Sequence, residues 1–203
     1  SAGVPVHFVT PDGESIYDIW VTKDKALTTS DIPSSSFSYL FEDKECTKAW
    51  DANKKVSRET TIYVTMIDAL VGTGSETDPY RIYSAEAYVK FKDAVNNSSK
   101  ETFAILCVDL DFGTSPRNYQ IGNFYGILDG KGHAININNR GNDTGSTYLF
   151  TYNYGTIKNL VLTGQTDGAD NIGILTQYNH GTIERCINRC TTTRENYYIS
   201  VFA

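Results

Sequence analysis

Several residue types are scarce in this sequence, and each shortage excludes a class of protein. The chain of 203 residues has only four cysteines, too few and too dispersed for a disulfide framework. Its 18 basic residues are scattered and outnumbered by 24 acidic ones, which argues against the clustered lysine and arginine of a nucleic-acid-binding surface. No apolar run approaches the roughly 20 residues of a transmembrane helix. We therefore expect no nucleic-acid partner and no membrane insertion.

The four cysteines, Cys46, Cys107, Cys186 and Cys190, leave their redox state open. Cys186 and Cys190 lie four residues apart, a spacing that suits a metal pair on a helix. Their surroundings instead predict strand and turn, which favours Cys186 as a small apolar core residue over a zinc ligand. The sequence predicts no cofactor.

What the chain does contain predicts β structure with an internal repeat. The sequence YNYGTI at residues 152–157 returns, with one change, as YNHGTI at residues 178–183. A fixed period in the twenties, with a turn and a short apolar strand, is typical of a solenoid. Stacked strands lie about 4.8 Å apart, so equivalent residues would form columns. The predicted pairs are Asn153 with Asn179, Gly155 with Gly181, Ile157 with Ile183, and Leu160 with Cys186.

The N-terminal third of the sequence predicts a separate small β module. Val4, Val6 and Phe8 alternate along a strand, the turn residues 11–13 follow, and residues 16–21 return as a second strand of a hairpin. Residues 60–65 form a β-branched closing strand. We expect residues 1–67 to be one module, residues 68–78 a linker and residues 79–203 a solenoid.

One amphipathic helix is predicted at about residues 84–97. Ser84 is a suitable N-cap, and Ala87, Phe91 and Val95 share one helical face. Such a helix would cover the open end of a solenoid, where apolar core and unpaired backbone are exposed.

At the other end, residues 197–202 resemble the start of another repeat, so we expect the chain to be truncated there, as a fragment of a longer protein.

Residues 103–112 read as one strand, with Asp109 and Asp111 on the same face. Paired carboxylates suggest acid–base chemistry of the kind found in polysaccharide-cleaving β-helices. No histidine, lysine or arginine cluster accompanies them, so we favour solvated strand or turn residues and predict no catalytic residue.

Aromatic residues near the repeat are the candidate binding residues. If the repeats stack, a ladder of rings would form that could bind sugar rings or peptides, or serve only to stiffen the repeats. The candidates are Tyr148, Tyr152, Tyr154, Tyr178 and His180.

Asp167 and Asp170 are weaker candidates for binding a calcium ion. An ordinary turn is the favoured interpretation of these residues, so no metal site is predicted.

The first module resembles the internalin-type B-repeat, also called the Listeria-Bacteroides repeat. The resemblance rests on the strand at residues 6–9, on the aromatic–acidic–aromatic stretch at residues 41–50 and on the closing strand at residues 56–64. It implies a β-grasp-like spacer of bacterial surface proteins.

The rest of the chain resembles bacterial surface β-helices that carry the GLUG motif. The matching stretches are residues 72–82, 108–112, 124–135, 155–164 and 181–190. This resemblance implies a right-handed parallel β-helix with an extracellular or cell-surface location.

Together the two resemblances imply a fragment of a secreted or cell-surface bacterial protein, non-catalytic, which adheres to a host or bacterial glycan, a host protein or the cell wall. One alternative is a β-helix polysaccharide lyase or glycoside hydrolase, which would need clustered carboxylates or a calcium ion along one groove. Another is an accessory region of a larger secreted peptidase. The sequence shows no convincing catalytic cluster, which favours the binding protein.

Overall fold

A computed structural model of the chain describes residues 3–32, 37–113, 118–139, 148–166, 172–173, 175–192 and 199–200. The chain divides into two compact units, Ser1–Ala69 and Leu70–Ala203. It is mainly β and contains parallel sheets, as the sequence predicts. In the described ranges, no helix combines the length and apolar character needed to cross a membrane.

The described residues of the first unit form six strands and a short 3-10 helix: β1 (Gly3–Val9), β2 (Ser15–Thr22), β3 (Lys25–Ala26), the 3-10 helix Thr29–Asp31, β4 (Phe37–Phe41), β5 (Lys55–Val56) and β6 (Thr60–Met66). Four of the strands form a mixed sheet in the order β2-β1-β6-β4. β1 is antiparallel to β2 and parallel to β6, whereas β4 is antiparallel to β6. β3 and β5 form a separate antiparallel pair.

Alternating apolar residues explain this sheet. Val6 and Phe8 of β1 are fully buried, and they pack with Ile62 and Val64 of β6 in one core. The predicted hairpin joins β1 to β2, and its turn is closed by the amide of Gly13, which donates to the carbonyl of Thr10 at 2.9 Å.

The second unit holds the remaining elements: β7 (Tyr80–Ile82), α1 (Ala85–Asn96), β8 (Phe103–Leu106), β9 (Leu110–Asp111), β10 (Ile121–Phe124), β11 (Ile127–Asp129), β12 (Ala134–Asn139), β13 (Phe150–Asn153), β14 (Thr156–Lys158), β15 (Val161–Thr166), β16 (Ile172–Gly173), β17 (Thr176–Asn179), β18 (Thr182–Glu184), β19 (Ile187–Asn188), β20 (Thr191–Thr192) and β21 (Ile199–Ser200). Part of the predicted linker packs with this unit, since the carbonyl of Gly74 accepts from the amide of Phe103 at 2.9 Å.

Three parallel sheets organise the second unit, in the orders β10-β13-β17, β18-β14-β11-β8-β7 and β19-β15-β12-β9. Three successive segments, residues 121–139, 150–166 and 176–192, each supply one strand to every sheet. We call them the first, second and third repeats. β20 also pairs with β15, and β16 pairs with β21.

The register between the second and third repeats is constant. Tyr152 pairs with Tyr178, Ile157 with Ile183 and Val161 with Ile187, so the offset in sequence is the same in all three sheets. The first repeat is longer. The offset from Phe124 to its partner Asn153 exceeds the offset from Ala134 to its partner Val161 by two residues. These two extra residues lie in the first repeat, in the turn between β11 and β12, which is longer than the corresponding turn between β14 and β15 of the second repeat.

The three sheets share one apolar core. Phe124, Leu128 and Ile135, one residue from each strand of the first repeat, are fully buried in the same cluster. Burying each such side chain contributes about 1.5–3 kcal/mol, so repetition builds a continuous stabilising column.

The helix α1 belongs to the same core. The hydroxyl of Ser84 accepts from the amide of Ala87 at 2.8 Å and caps the first turn. Tyr88, Phe91 and Val95 are buried, and the ring of Phe91 lies edge-on to that of Phe124. The helix packs against β7 and β10.

The prediction of a single strand over residues 103–112 was wrong. The structure has β8 and β9, which pair in different sheets and are separated by residues 107–109. Leu106, Leu110 and Phe112 are nevertheless all buried. The chain bends from one sheet to the next while it keeps its apolar side chains on the core side, and alternation alone does not reveal such a bend.

Candidate binding surface: a stack of aromatic rings

The strand β13 separates a buried amide from exposed rings. Side chains alternate across a strand, so Asn153 points into the core and is fully buried, while Tyr152 and Tyr154 on either side of it are half-buried and 44% exposed respectively. Parallel pairing at a constant register places the corresponding residues of neighbouring repeats beside them.

Five rings lie nearly parallel along these strands: Tyr125, Tyr152, Tyr154, Tyr178 and His180, which we call the ring stack. Tyr125 and Tyr154 have centroids 5.0 Å apart with planes inclined by 8°. Tyr154 and His180 follow at 5.2 Å and 13°. Tyr152 and Tyr178 form a second column at 4.9 Å and 16°, and Tyr152 lies 6.2 Å from Tyr154. Two adjacent columns of rings therefore run along the repeats.

The ring stack is accessible to solvent. Tyr178 is 47% exposed, His180 is exposed, and Tyr125 and Tyr152 are half-buried. Each tyrosine combines an apolar ring with a hydroxyl that can donate and accept hydrogen bonds. The surface can thus contact the apolar face of a ligand and pair with its polar groups.

The stack includes four of the five aromatic residues singled out in the sequence. Tyr148 is half-buried and makes no ring contact with the stack in the described part of the chain. Tyr125 was missed, because the first repeat lies at a larger offset and has Phe124 where the others have asparagine. The shared pattern of an aromatic ring, glycine, any residue and a branched apolar residue would have found it: YGIL, YGTI and HGTI at residues 125–128, 154–157 and 180–183.

Two hollows adjoin the ring stack, and Tyr125 lines both. The first, the amide hollow, has a volume of about 350 Å³ and is lined by Tyr125 and Tyr152 together with Asn96, Ser98, Ser99 and Asn123. The second, the glycine hollow, has a volume of about 310 Å³ and is lined by Tyr125, Tyr154 and Glu101 beside Gly126, Gly155 and Gly181. Both combine rings with polar groups, as ligand sites commonly do.

The column of glycines is required by the close approach of successive repeats. A Cβ on Gly155 would lie 2.1 Å from the carbonyl oxygen of Gly126, and one on Gly181 would lie 2.1 Å from that of Gly155. A Cβ on Gly126 would lie 1.8 Å from the carbonyl oxygen of Thr102. The same absence of side chains leaves open the hollow beside the rings.

The asparagine column is structural. Asn153 Nδ2 donates to Asn179 Oδ1 at 2.8 Å, and Asn153 Oδ1 accepts from the amide of Gly155 at 3.1 Å. A buried amide needs such partners, because leaving one unsatisfied costs about 1–3 kcal/mol.

The two carboxylates considered for catalysis hold neighbouring backbone. Asp109 accepts from the amide of Ala134 at 2.8 Å and lies 3.1 Å from Nδ1 of His133. These contacts, that of the Ala134 amide foremost, lower the pKa of Asp109. Asp111 accepts from the amide of Gly113 at 2.8 Å and from Asn136 Nδ2 at 3.0 Å. This geometry favours the interpretation of both as turn and strand residues.

Metal binding gains no support from the described residues. Within them, no group of three or more histidine, cysteine, aspartate or glutamate side chains could hold an ion. Asp167 and Asp170 lie outside the described residues. Burial raises the pKa of the Cys186 thiol and raises that of Cys190 to about 11, so both disfavour the thiolate that binds zinc. Cys186 packs half-buried against the core beside Leu160, its Sγ 3.7 Å from the carbonyl oxygen of Ile157.

The functional interpretation of the ring stack rests on its geometry and its chemistry. No profile of a known protein family matches the chain, nor does any curated protein or solved structure.

Proposed function

We propose that the chain is part of a secreted or cell-surface bacterial protein and binds carbohydrate, without catalysis, through the ring stack. The observation that carries this proposal is the set of five partly exposed rings in two parallel columns. Sugar rings have apolar C–H faces that contact aromatic side chains and hydroxyls that pair with phenol, amide and hydroxyl groups. The ligand class is a host or bacterial glycan or a cell-wall polymer.

The architecture that fits this function is a right-handed parallel β-helix, preceded by a β-grasp-like spacer in the first unit. Its support is that each repeat supplies one strand to each of three parallel sheets around a shared core. The resemblances to GLUG-motif β-helices and to the B-repeat point to the same arrangement. An elongated surface of this kind can follow an extended polymer.

The helix α1 is proposed to cap this β-helix. β7 and β10, against which it packs, are terminal strands of their sheets. Asn96 at the end of the helix accepts from the backbone amide of Gly122 in β10 at 2.8 Å. That contact satisfies a strand-edge donor which would otherwise be left unpaired.

A glycan array tests the proposal. We expect the wild-type chain to bind a subset of glycans and the double variant Tyr152→Ala, Tyr178→Ala to lose at least about tenfold in affinity, equivalent to about 1.4 kcal/mol. Trp20→Ala is the matched control, because Trp20 is 75% exposed but lies on β2 of the first unit. Undiminished binding by the double variant would remove the ring stack from the function, and an array without any bound glycan would remove carbohydrate binding.

The enzymatic alternative makes a different prediction. A polysaccharide lyase or hydrolase that used Asp109 and Asp111 would release reducing sugar, and Asp109→Asn and Asp111→Asn would abolish that release. We expect no cleavage by the wild-type chain. Cleavage that both variants lose would replace the binding function with catalysis.

A further inference from the structure

The ring stack has two chemically different ends. At one end lie Tyr178 and His180 of the third repeat, and at the other end lies Tyr125 of the first. Because columns continue from strand to strand, the residue that precedes Tyr125 in its column decides what that end can bind.

Backbone hydrogen bonds identify this residue. Thr156 and Thr182 donate to the carbonyls of Gly126 and Gly155, each at 2.8 Å, and Ile127 likewise donates to the carbonyl of Thr102 at 3.1 Å. The pairing of Phe103 with Ile127 gives the same register. Thr102 therefore occupies the glycine position.

One residue earlier, Glu101 occupies the position that Tyr125, Tyr154 and His180 hold in the later repeats. The Glu101 carboxylate therefore lies at the Tyr125 end of the column formed by Tyr125, Tyr154 and His180.

Tyr125 is consequently stacked on one side. Its ring partner among the described residues is Tyr154, and on the side of the preceding strand its column continues with Glu101 instead of another ring. Both hollows reach Tyr125, and Glu101 lines the glycine hollow. A flat ligand can occupy this side of the ring without displacing a stacking partner.

The polar groups around Tyr125 suit a hydroxyl-rich ligand. The carboxylate of Glu101 makes no hydrogen bond or ion pair with any other residue that the structure describes, so it can accept hydrogen bonds from a ligand. On the amide hollow, Asn123 and Ser99 offer both donors and acceptors.

The charge of the site narrows the ligand class. Glu101 is the single charged side chain among the described residues that line the two hollows. A negative charge without a cation disfavours uronic acids and other anionic sugars by repulsion and by the cost of desolvation.

We propose that Tyr125 and Glu101 form the sugar-binding subsite of the ring stack, specific for a neutral pyranose unit. The sugar ring lies against Tyr125, its hydroxyls donate to the Glu101 carboxylate, and Asn123 and Ser99 pair with the remaining polar groups. This inference rests on the proposed function and assigns it a position and a ligand class.

Isothermal titration calorimetry with oligosaccharides of defined charge tests the subsite. The probes are hexamers of β-linked glucose, xylose, mannose and N-acetylglucosamine, with a galacturonic acid hexamer as the anionic counterpart. We expect binding of at least one neutral hexamer and none of the anionic one. Tyr125→Ala and Glu101→Gln should each lower the affinity for that neutral hexamer by about tenfold, because the first removes the ring against which the sugar lies and the second replaces a charged acceptor with a weaker neutral one.

Glu184→Gln is the matched control and should bind like the wild type, since Glu184 lies on β18 and pairs with Arg185 at 2.8 Å. Far-UV circular dichroism verifies the fold of every variant. Glu101→Gln keeps the test valid if Tyr125→Ala does not fold, because the Glu101 carboxylate makes no hydrogen bond or ion pair with a described residue whose loss could unfold the chain.

Each outcome separates the subsite from the general function. Wild-type affinity in both Tyr125→Ala and Glu101→Gln, together with lost binding in the Tyr152→Ala, Tyr178→Ala double variant, would overturn the subsite and keep the ring stack as a binding surface. Binding of the galacturonic acid hexamer alone would overturn the neutral ligand class. Failure of every hexamer and of the glycan array would overturn the proposed function and this inference with it.

Discussion

The two units of the chain use β strands in contrasting ways. In the first unit β1 pairs antiparallel with its neighbour in sequence, β2, and parallel with the distant β6, so no residue pattern is repeated in space. In the second unit the strands of successive repeats pair in parallel, and like residues meet. The exposed Trp20 of the first unit stacks on no other ring among the described residues, whereas Tyr152 stacks on Tyr178 in the second unit. Parallel pairing of successive repeats thus brings equivalent side chains together, so that a short repeated sequence forms an extended surface.

The two units also differ in how they satisfy polar side chains. In the first unit Glu42 forms ion pairs with Lys48 and Lys54, and His7 lies between Asp18 and Glu59. In the second, buried Asn153 pairs with the equivalent residue of the next repeat.

Both tryptophans, Trp20 and Trp50, belong to the first unit, so tryptophan fluorescence reports on that unit, and tyrosine fluorescence and circular dichroism can follow the second.

The largest expected effect comes from the glycine column. Gly155→Ala would place a Cβ 2.1 Å from the carbonyl oxygen of Gly126, and backbone cannot move aside as a side chain can. We expect a loss of about 3 kcal/mol in the free energy of unfolding of the second unit. Urea unfolding followed by circular dichroism measures it.

The matched substitution in the first unit is Gly3→Ala, where the nearest atom to the new Cβ is a Trp20 ring carbon at 3.5 Å, an ordinary contact. Its unfolding free energy should change by less than about 1 kcal/mol. Equal losses of unfolding free energy in Gly155→Ala and Gly3→Ala would contradict the inference that the close approach of successive repeats requires glycine in the second unit alone.

A smaller effect is expected from the asparagine column. Asn153→Ala removes the donor to Asn179 and leaves the amide of Gly155 without its side-chain acceptor, at a cost of about 2 kcal/mol. Asn179→Ala should cost about 1 kcal/mol, because Asn179 is exposed and Asn153 keeps a contact of 3.4 Å to the carbonyl of Thr182. Urea midpoints in the reverse order would show that the buried amide does not stabilise the stack.

The smallest effect is a pH dependence confined to the first unit. Hydrogen bonds to Asp18, and secondly to Glu59, raise the pKa of His7 above 6.5. Protonated His7 therefore stabilises the folded unit fully below pH 6.5, and this contribution is lost as the pH rises through the folded-state pKa. We expect the urea midpoint, followed by tryptophan fluorescence, to fall slightly between roughly pH 6 and pH 8.

His7→Gln is the control for this titration. It keeps a hydrogen-bonding side chain but cannot be protonated, so the fall in midpoint over that pH range should disappear. A fall of the same size in His7→Gln would assign the titration to another group.

Part of the site could be predicted from sequence because residues 152–157 and 178–183 are nearly identical and equally spaced. One constant offset is sufficient to place Tyr152 beside Tyr178 and Asn153 beside Asn179, as found. The sequence pattern did not identify Tyr125, because a longer turn changes the offset of the first repeat. It did not identify Glu101, because that position lacks the aromatic ring found in the later repeats. A column is defined by register, and register depends on turn lengths that the residue pattern does not reveal.

The sequence by itself determined the strands, the turns and the spacing of the later repeats, because alternation, glycine and a fixed period act locally along the chain. Only the tertiary structure decided that residues 103–112 divide between two sheets and that Tyr125 extends the ring stack. It also decided that Glu101 occupies the next position in that column. These arrangements follow from how strands pair with partners far away in sequence, where the close approach of backbones at Gly126 and Gly155 selects one register among several.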